Sequence, residues 1–291
     1  MTKKNWLIAG LCVLVAVLLV AVTALTVVLL MKDGGGSSSS SGGDTTDKTA
    51  SSSSMTDKMT VTLSGNVRLE LVKVEAGTFA MGARDGENFD NEKEHRVTLT
   101  KDFYLGMTEV TQAQYKAVMG TNPSGFKGDD LPVEYVSWND AMEFCNKLNE
   151  MGKAPSGWQF TLPTEAQWEY AARGGKKSRG YKYSGSDDLG EVAWYGRNSG
   201  NKTHPAASKK ANELGLYDMS GNVWEWCRDR YEKDYAGDPE FLTGNSGSYR
   251  VTRGGSWLNY AGVCRSANRG NGDPGDRVNR LGFRVALVSV R

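Results

Sequence analysis

The chain is poor in the residues from which metal and redox centres are made. Its 291 residues include four cysteines and two histidines, His95 and His204, and Cys12 lies inside a long apolar run. Two histidines are too few for a three-histidine iron site. No H-E-x-x-H, G-x-S-x-G or Walker loop occurs, which removes the common signatures of zinc and serine hydrolysis and of P-loop nucleotide binding. Charge is also short of a bias: the formal net charge is +1, with 35 basic against 34 acidic residues and no basic tract. No nucleic-acid partner is therefore expected. What is abundant is glycine, at 35, and tryptophan, at 8, a mixture suited to long loops pinned by large aromatic anchors.

The one long hydrophobic run, from Asn5 to Met31, carries no charge and exceeds the roughly 20 residues that span a bilayer as a helix. Lys3 and Lys4 precede it, whereas Lys32 is offset by Asp33. The positive-inside bias then predicts a single-pass membrane protein with a cytoplasmic N-terminus and an extracytoplasmic domain, periplasmic or on the cell surface. A cleaved signal, with small residues around Ala21 to Ala24, is the competing reading; a lipoprotein signal is disfavoured because Cys12 follows Leu11. Residues 33–58 are Gly/Ser/Thr-rich with few apolar side chains, and read as a flexible tether reaching about 30 Å on average. The organisation expected is a stub and transmembrane signal anchor over 1–32, a linker over 33–58 and one domain over 59–291.

Within that domain, "LELVKVEAGTFAMG", "HRVTLTKDFYLGMTEV" and "LGFRVALVSV" alternate in part and predict strands, with Phe283, Val285 and Leu287 on one face. Thr111 with Gln114, Ser137, and Thr164 with Gln167 mark three helix starts; Gly120 and Gly174 mark two ends. Residues 176–212 and 229–249 lack a clear period and predict loops. The outcome is a loop-rich α+β domain.

The ordered blocks "LVKVEAGTFAMG", "FYLGMTEVTQAQYKAVM", "LPVEYVSWNDAMEFCNKLN", "LPTEAQWEYAARGG", "NELGLYDMSGNVWEW", "RGGSW" and "LGFRVA" closely resemble the formylglycine-generating enzyme, or sulfatase-modifying factor, family over about Leu71 to Val288. The resemblance implies a variant of the C-type-lectin-like fold. Family membership does not by itself settle activity. Active members oxidise a cysteine in sulfatases with copper held by two cysteines five positions apart, shortly after a G-G-S triplet. Counted without a gap from Gly254-Gly255-Ser256, those positions are Asn259 and Cys264. A neutral amide is a poor Cu(I) ligand, so copper is not expected, and Cys264 and Ser256 remain only residual catalytic candidates. Trp224, like Ser256, falls on a position lining that pocket in active members, and packing explains both equally well. The resemblance also implies calcium at the side chains of Asp218 and Glu225 and the carbonyls of Gly221 and Val223, a hard-oxygen set. The competing reading has Asp218 capping a turn and Glu225 paired with an arginine such as Arg228 or Arg253. Glu165 and Glu169, four apart around Trp168, read as a solvated helix face rather than an acid/base pair.

Cys145, Cys227 and Cys264 make an odd number for an oxidising location. Cys145 reads as an inert buried thiol on the stripe of Phe144 and Leu148; Cys227 and Cys264 are either bonded to each other or free.

The stretch from Arg253 to Arg284 sorts into a frame and inserts. The frame is Trp257, Ala261, Cys264 to Arg269, Pro274, Arg277 and Leu281 to Arg284. The inserts are Leu258, Asn259, Tyr260, Gly262, Val263, Gly270, Asn271, Gly272, Asp273, Gly275, Asp276, Val278, Asn279 and Arg280. This stretch is similar to the variable region of retroelement-diversified ligand-binding proteins, where adenines of asparagine codons are randomised. Lys, Glu, Gln, Met and Trp cannot arise from such a codon, and none of the five stands among the inserts. The other reading is a fixed loop surface. In either case the tyrosine, asparagine and aspartate content is paratope-like and predicts a surface for an unknown protein or glycan, at Leu258, Asn259, Tyr260, Val263, Asn271, Asp273, Asp276, Val278, Asn279 and Arg280. Arg265, Arg269 and Arg284 are expected to brace loops through carbonyl and carboxylate contacts. The whole reads as a membrane-anchored binding or display module rather than an enzyme, the rival being a formylglycine-generating oxidase.

Overall fold

The computed structural model describes residues 56–83, 90–233 and 249–290, all within the unit that spans 54–291. The expected membrane anchor, and the linker as far as residue 55, lie outside the described residues. Among the described residues no helix is long and apolar enough to cross a membrane.

Eleven strands and four helices are described: β1 (Lys58–Thr62), β2 (Arg68–Val74), β3 (Gly77–Met81), β4 (His95–Leu99), β5 (Phe103–Gly106), α1 (Gln112–Met119), α2 (Trp138–Glu150), β6 (Trp158–Thr161), α3 (Glu165–Ala172), α4 (Leu189–Val192), β7 (Trp224–Arg230), β8 (Arg250–Arg253), β9 (Arg269–Gly272), β10 (Leu281–Gly282) and β11 (Ala286–Ser289). They form a five-stranded sheet β1-β2-β5-β11-β6, a four-stranded sheet β10-β7-β8-β9 and the hairpin β3-β4. The three anticipated helix starts are all capping boxes: Thr111, Ser137 and Thr164 each accept from the backbone of the third helical residue, whose side chain returns the bond. Gly120 and Gly174 stand left-handed at φ 79° and 90°, as helix ends require.

Alternation along the central strands explains why they read as only partly amphipathic. Leu69, Leu71 and Tyr104 enter one core with α1 and α2, while Val72, Val74, Phe103 and Leu105 enter a second with α3. The large sheet is therefore covered on both faces, and such strands lose their polar positions. Phe283, Val285 and Leu287 share the first core as expected. Their run is nevertheless split: β10 joins β7 in parallel, and the chain then turns into β11 between β5 and β6. Arg284, at that junction, is fully buried. The predicted loop from residue 229 begins inside β7, and residues 234–248 lie outside the described set; the loop from 176 to 212 carries only the short α4 and part of a 3-10 turn.

One expectation is overturned. Glu165 and Glu169 do not form a solvated helix face; both are buried. α3 is packed against β3, β4, β7 and β8, so all of its residues except Gln167 are buried.

Candidate functional site

The C-terminal stretch hangs on buried ion pairs that reach far back along the chain. Both oxygens of Glu92 accept from Arg265, at 2.7 and 2.9 Å, and Oε1 also accepts from the Asn268 amide at 2.7 Å. Arg265 Nε donates to the Gly262 carbonyl at 2.9 Å, so one guanidinium holds both the acid and the loop. Arg269 forks onto Glu165 at 2.7 and 2.8 Å and onto the carbonyl of Asn91 at 3.0 Å. Arg253 donates to Glu169 and to the carbonyls of Asn268 and Ser266 beneath the Trp168 ring. Arg284 forks onto Glu225 at 2.6 and 2.7 Å and reaches the carbonyls of Gly106 and Tyr217. Burial alone would raise the Glu165 carboxyl; Arg269 and Arg253 outweigh it and hold that carboxyl below its usual range. Arg265, Arg269 and Arg284 thus brace loops as expected, and Arg253 does the same. Glu92 and Asn268 were not anticipated: Glu92 lies 173 residues from the arginine it meets, beyond any local signal.

This framework divides the stretch by exposure. Trp257, Cys264 to Arg269 and Leu281 to Arg284 are buried, whereas every insert is at least partly exposed, with Leu258 at 50% and Tyr260 at 65%. Asn271, Asp273, Gly275 and Asp276 are exposed; Asn259, Val263, Val278, Asn279 and Arg280 are half-buried. The frame residue Arg277 is exposed too, and it forks onto Asp140 at the start of α2 at 2.8 and 2.9 Å. Two insert glycines are locked in place. A methyl at Gly272 would stand 2.7 Å from Trp226 Cη2, and one at Gly270 would stand 2.7 Å from Thr252 Oγ1 and 3.0 Å from Trp224 Cζ3. Gly270, Gly272 and Gly275 also carry the spacing G-x-G-x-x-G, but here it runs from β9 into a turn, with no helix to receive a pyrophosphate.

The residues counted onto the copper positions do come together. Ser256 Oγ donates to Asn259 Oδ1 at 2.7 Å, and the Ser256 N–H bonds the Cys264 sulfur. Burial pushes the Cys264 thiol up to about 12, which favours its protonated form. Cys145, Cys227 and Cys264 are all free and buried, which settles the pairing that the sequence left open. Cys227 lies in the second core and Cys264 in a third cluster with Tyr183, Leu189, Val192 and Ala193. With one thiol and an amide already bonded to serine, these residues do not fit a two-thiolate copper site.

Around Asp218 and Glu225 the balance is different. Glu225 is held by Arg284, not Arg228 or Arg253, and also accepts from the Trp168 indole at 2.7 Å. Asp218, at φ 56°, accepts the Ala207 N–H through Oδ2 and leaves a buried Oδ1 without a partner. Glu109, unanticipated, accepts from Asn222 and from the Val223 N–H at 2.7 and 2.9 Å. Three buried carboxylates thus face one guanidinium. Burial, with the charges of Asp218 and Glu225, pushes Glu109 well above the usual range, and burial pushes Asp218 up to about 6. The orphaned oxygen and surplus negative charge fit a hard cation. Among the described residues no three His, Cys, Asp or Glu side chains converge to hold a metal, so such an ion would draw on backbone carbonyls. Gly221 is obligatory at this turn, since a methyl there would stand 2.3 Å from the Trp194 carbonyl.

A sheet enclosed by two cores, short helices and a long loop stretch bolted down by buried ion pairs define a loop-rich C-type-lectin-like domain. The chain belongs to the sulfatase-modifying factor family: the model of the "Sulfatase-modifying factor enzyme 1-like domain" matches residues 62–288. It is 37% identical to the "Chaperone protein LppX" of Paenibacillus barcinonensis over 78% of this chain and 92% of that protein. It is 29% identical to the formylglycine-generating enzyme of Streptomyces coelicolor over 74% and 88% of the two chains. Among solved structures, Treponema denticola variable protein 1 superposes with a TM-score of 0.73 at 35% identity, covering 80% of this chain and 99% of that one.

Proposed function

We propose that this domain is an extracytoplasmic binding module, tethered by its N-terminal helix, that presents residues 258–263 and 270–280 to a ligand and does not carry out the oxidation of its active relatives. The observation that supports it most is the division of one continuous stretch into buried frame and exposed insert. Functional surfaces are commonly loops positioned by a rigid scaffold, and the set displayed is rich in the residue types of paratopes. Likeness to a protein described as a chaperone and to one described as a variable protein supports binding rather than chemistry. Calcium at this turn would rest on Asp218, whose buried Oδ1 has no partner, and on the carbonyls of Gly221 and Val223, because both oxygens of Glu225 are already taken by Arg284 and Trp168.

The rival reading, an oxidase, draws on one observation: Ser256, Asn259 and Cys264 are gathered at one place. Incubation of the full chain with Cu(I) and a cysteine-containing sulfatase peptide, followed by mass spectrometry, separates the two. The binding reading expects unchanged peptide; an aldehyde in place of the cysteine overturns it.

A further inference from the structure

We infer that Tyr135 is a fixed aromatic anchor of the same binding face and that the face takes a polypeptide ligand, contacted through an apolar side chain; this rests on the display reading above. Tyr135 lies outside the C-terminal stretch, in the connection that leads into α2. Three observations single it out. Its backbone is left-handed at φ 61°, a conformation that is an outlier for a bulky side chain and that persists only where surrounding structure imposes it. Its side chain is nonetheless 38% exposed and belongs to none of the three core clusters. The strain therefore does not serve to bury the ring.

The third observation is what the residue touches. Its N–H donates to the carbonyl of the insert Val278 at 3.1 Å. A methyl at Gly125 would stand 3.0 Å from Tyr135 Cε2, so the ring rests on that glycine. The next residue, Phe126, meets Trp257 edge-on at 5.6 Å, and the Trp257 indole donates to the carbonyl of the insert Asn279 at 3.0 Å. Tyr135 thus bonds the second insert loop directly, and the glycine under its ring leads into Phe126, whose partner Trp257 immediately precedes Leu258 of the first insert loop. Of the six large hydrophobic residues exposed among the described residues, Tyr135, Leu258 and Tyr260 belong to this region. Asn271, Asp273 and Asp276 supply exposed polar positions on the second insert loop. An apolar, tyrosine-rich centre with a polar surround is the anatomy of a protein-binding interface. Aliphatic Leu258 and Val263 favour a polypeptide over a glycan.

The test uses phage-displayed random linear peptides selected on the purified full chain, then measured one by one on variants. Tyr135→Ala and Tyr135→Gly are expected to weaken the selected peptides roughly ten- to thirty-fold, as loss of an aromatic anchor does, and Tyr135→Phe to retain them. Because glycine suits φ 61°, Tyr135→Gly should unfold at a higher temperature than Tyr135→Ala, which reports the strain independently of any ligand. Wild-type peptide affinity in Tyr135→Gly, with loss in Leu258→Asp, overturns the anchor and leaves the display reading standing. Failure to enrich any peptide, or peptides indifferent to Tyr135→Gly and Leu258→Asp alike, overturns both. Loss of cooperative unfolding in Tyr135→Gly with Tyr135→Phe intact shows the ring to be structural and also overturns the proposal.

Discussion

Gly272 offers the sharpest test of the frame beneath the display surface. By position it looks diversifiable, yet a serine Cβ there would stand 2.7 Å from Trp226 Cη2 and 3.3 Å from its Cζ3. Trp226 cannot swing away: it is fully buried in the first core, and its indole N–H donates to the Val136 carbonyl at 3.0 Å. Overpacking of this kind costs about 1–3 kcal/mol. Replacing a strand glycine returns about 0.5–1 kcal/mol of backbone entropy, which leaves a net loss centred near about 1.3 kcal/mol and at most about 2.5 kcal/mol. For a domain of this size the central value lowers Tm by about 3–5 °C. Two neighbours serve as controls. Asn271 is exposed, and at Gly275 the nearest obstacle is the exposed carboxylate of Asp273 at 3.3 Å, so Asn271→Ser and Gly275→Ser should stay within about 0.5 kcal/mol of wild type. Thermal unfolding of the three serine variants, followed by circular dichroism, gives the answer. If Gly272→Ser melts with Asn271→Ser, the glycine is not held by the tryptophan and the stretch has no rigid frame there.

Glu92→Ala removes the buried carboxylate shared by the Arg265 guanidinium and the Asn268 amide, a loss of about 3–5 kcal/mol. It should appear as a lower urea midpoint and as faster amide exchange over 258–263, because Arg265 also holds the Gly262 carbonyl. Iodoacetamide at about pH 8 should leave Cys145, Cys227 and Cys264 unmodified in the native chain and label all three in urea, since burial raises each thiol; peptide mapping that finds native Cys264 alkylated contradicts the geometry. Asp229 is pushed up to about 7, first by burial and then by the charge of Glu165. The folded state thus keeps a proton that the unfolded chain releases near its ordinary value of about 3.9. That stabilisation is complete below about pH 4 and lost as pH rises through about 7. The stability of wild type relative to Asp229→Asn should therefore fall between about pH 4 and about pH 7, by at most about 1.4 kcal/mol per pH unit; a constant difference in urea titrations refutes the assignment.

Much of this domain is legible in its sequence. The three capping boxes join residues three positions apart, and left-handed glycines end two of the helices. These are local interactions, so the residues that make them stand side by side in the chain. In the C-terminal stretch burial follows the frame at Trp257, Cys264 to Arg269 and Leu281 to Arg284 but not at Ala261, Pro274 and Arg277, and size does not predict it, since Leu258 and Tyr260 are exposed. Glu165 and Glu169 were misjudged because four-residue spacing describes one helix face, whereas α3 is covered on nearly every side.

Sequence alone determined the family, the helix starts, the scarcity of cysteine and histidine and the asparagine at the position counted opposite Cys264. Only the tertiary structure decided that Glu92 clamps Arg265 across 173 residues, that the three cysteines are free, that tryptophans hold Gly270 and Gly272 in place, and that Tyr135 is strained toward solvent beside the inserts. The physical reason is one of range. Propensity and capping act between neighbours in the chain, while burial, ion pairing and steric clearance depend on which distant segments the fold brings together.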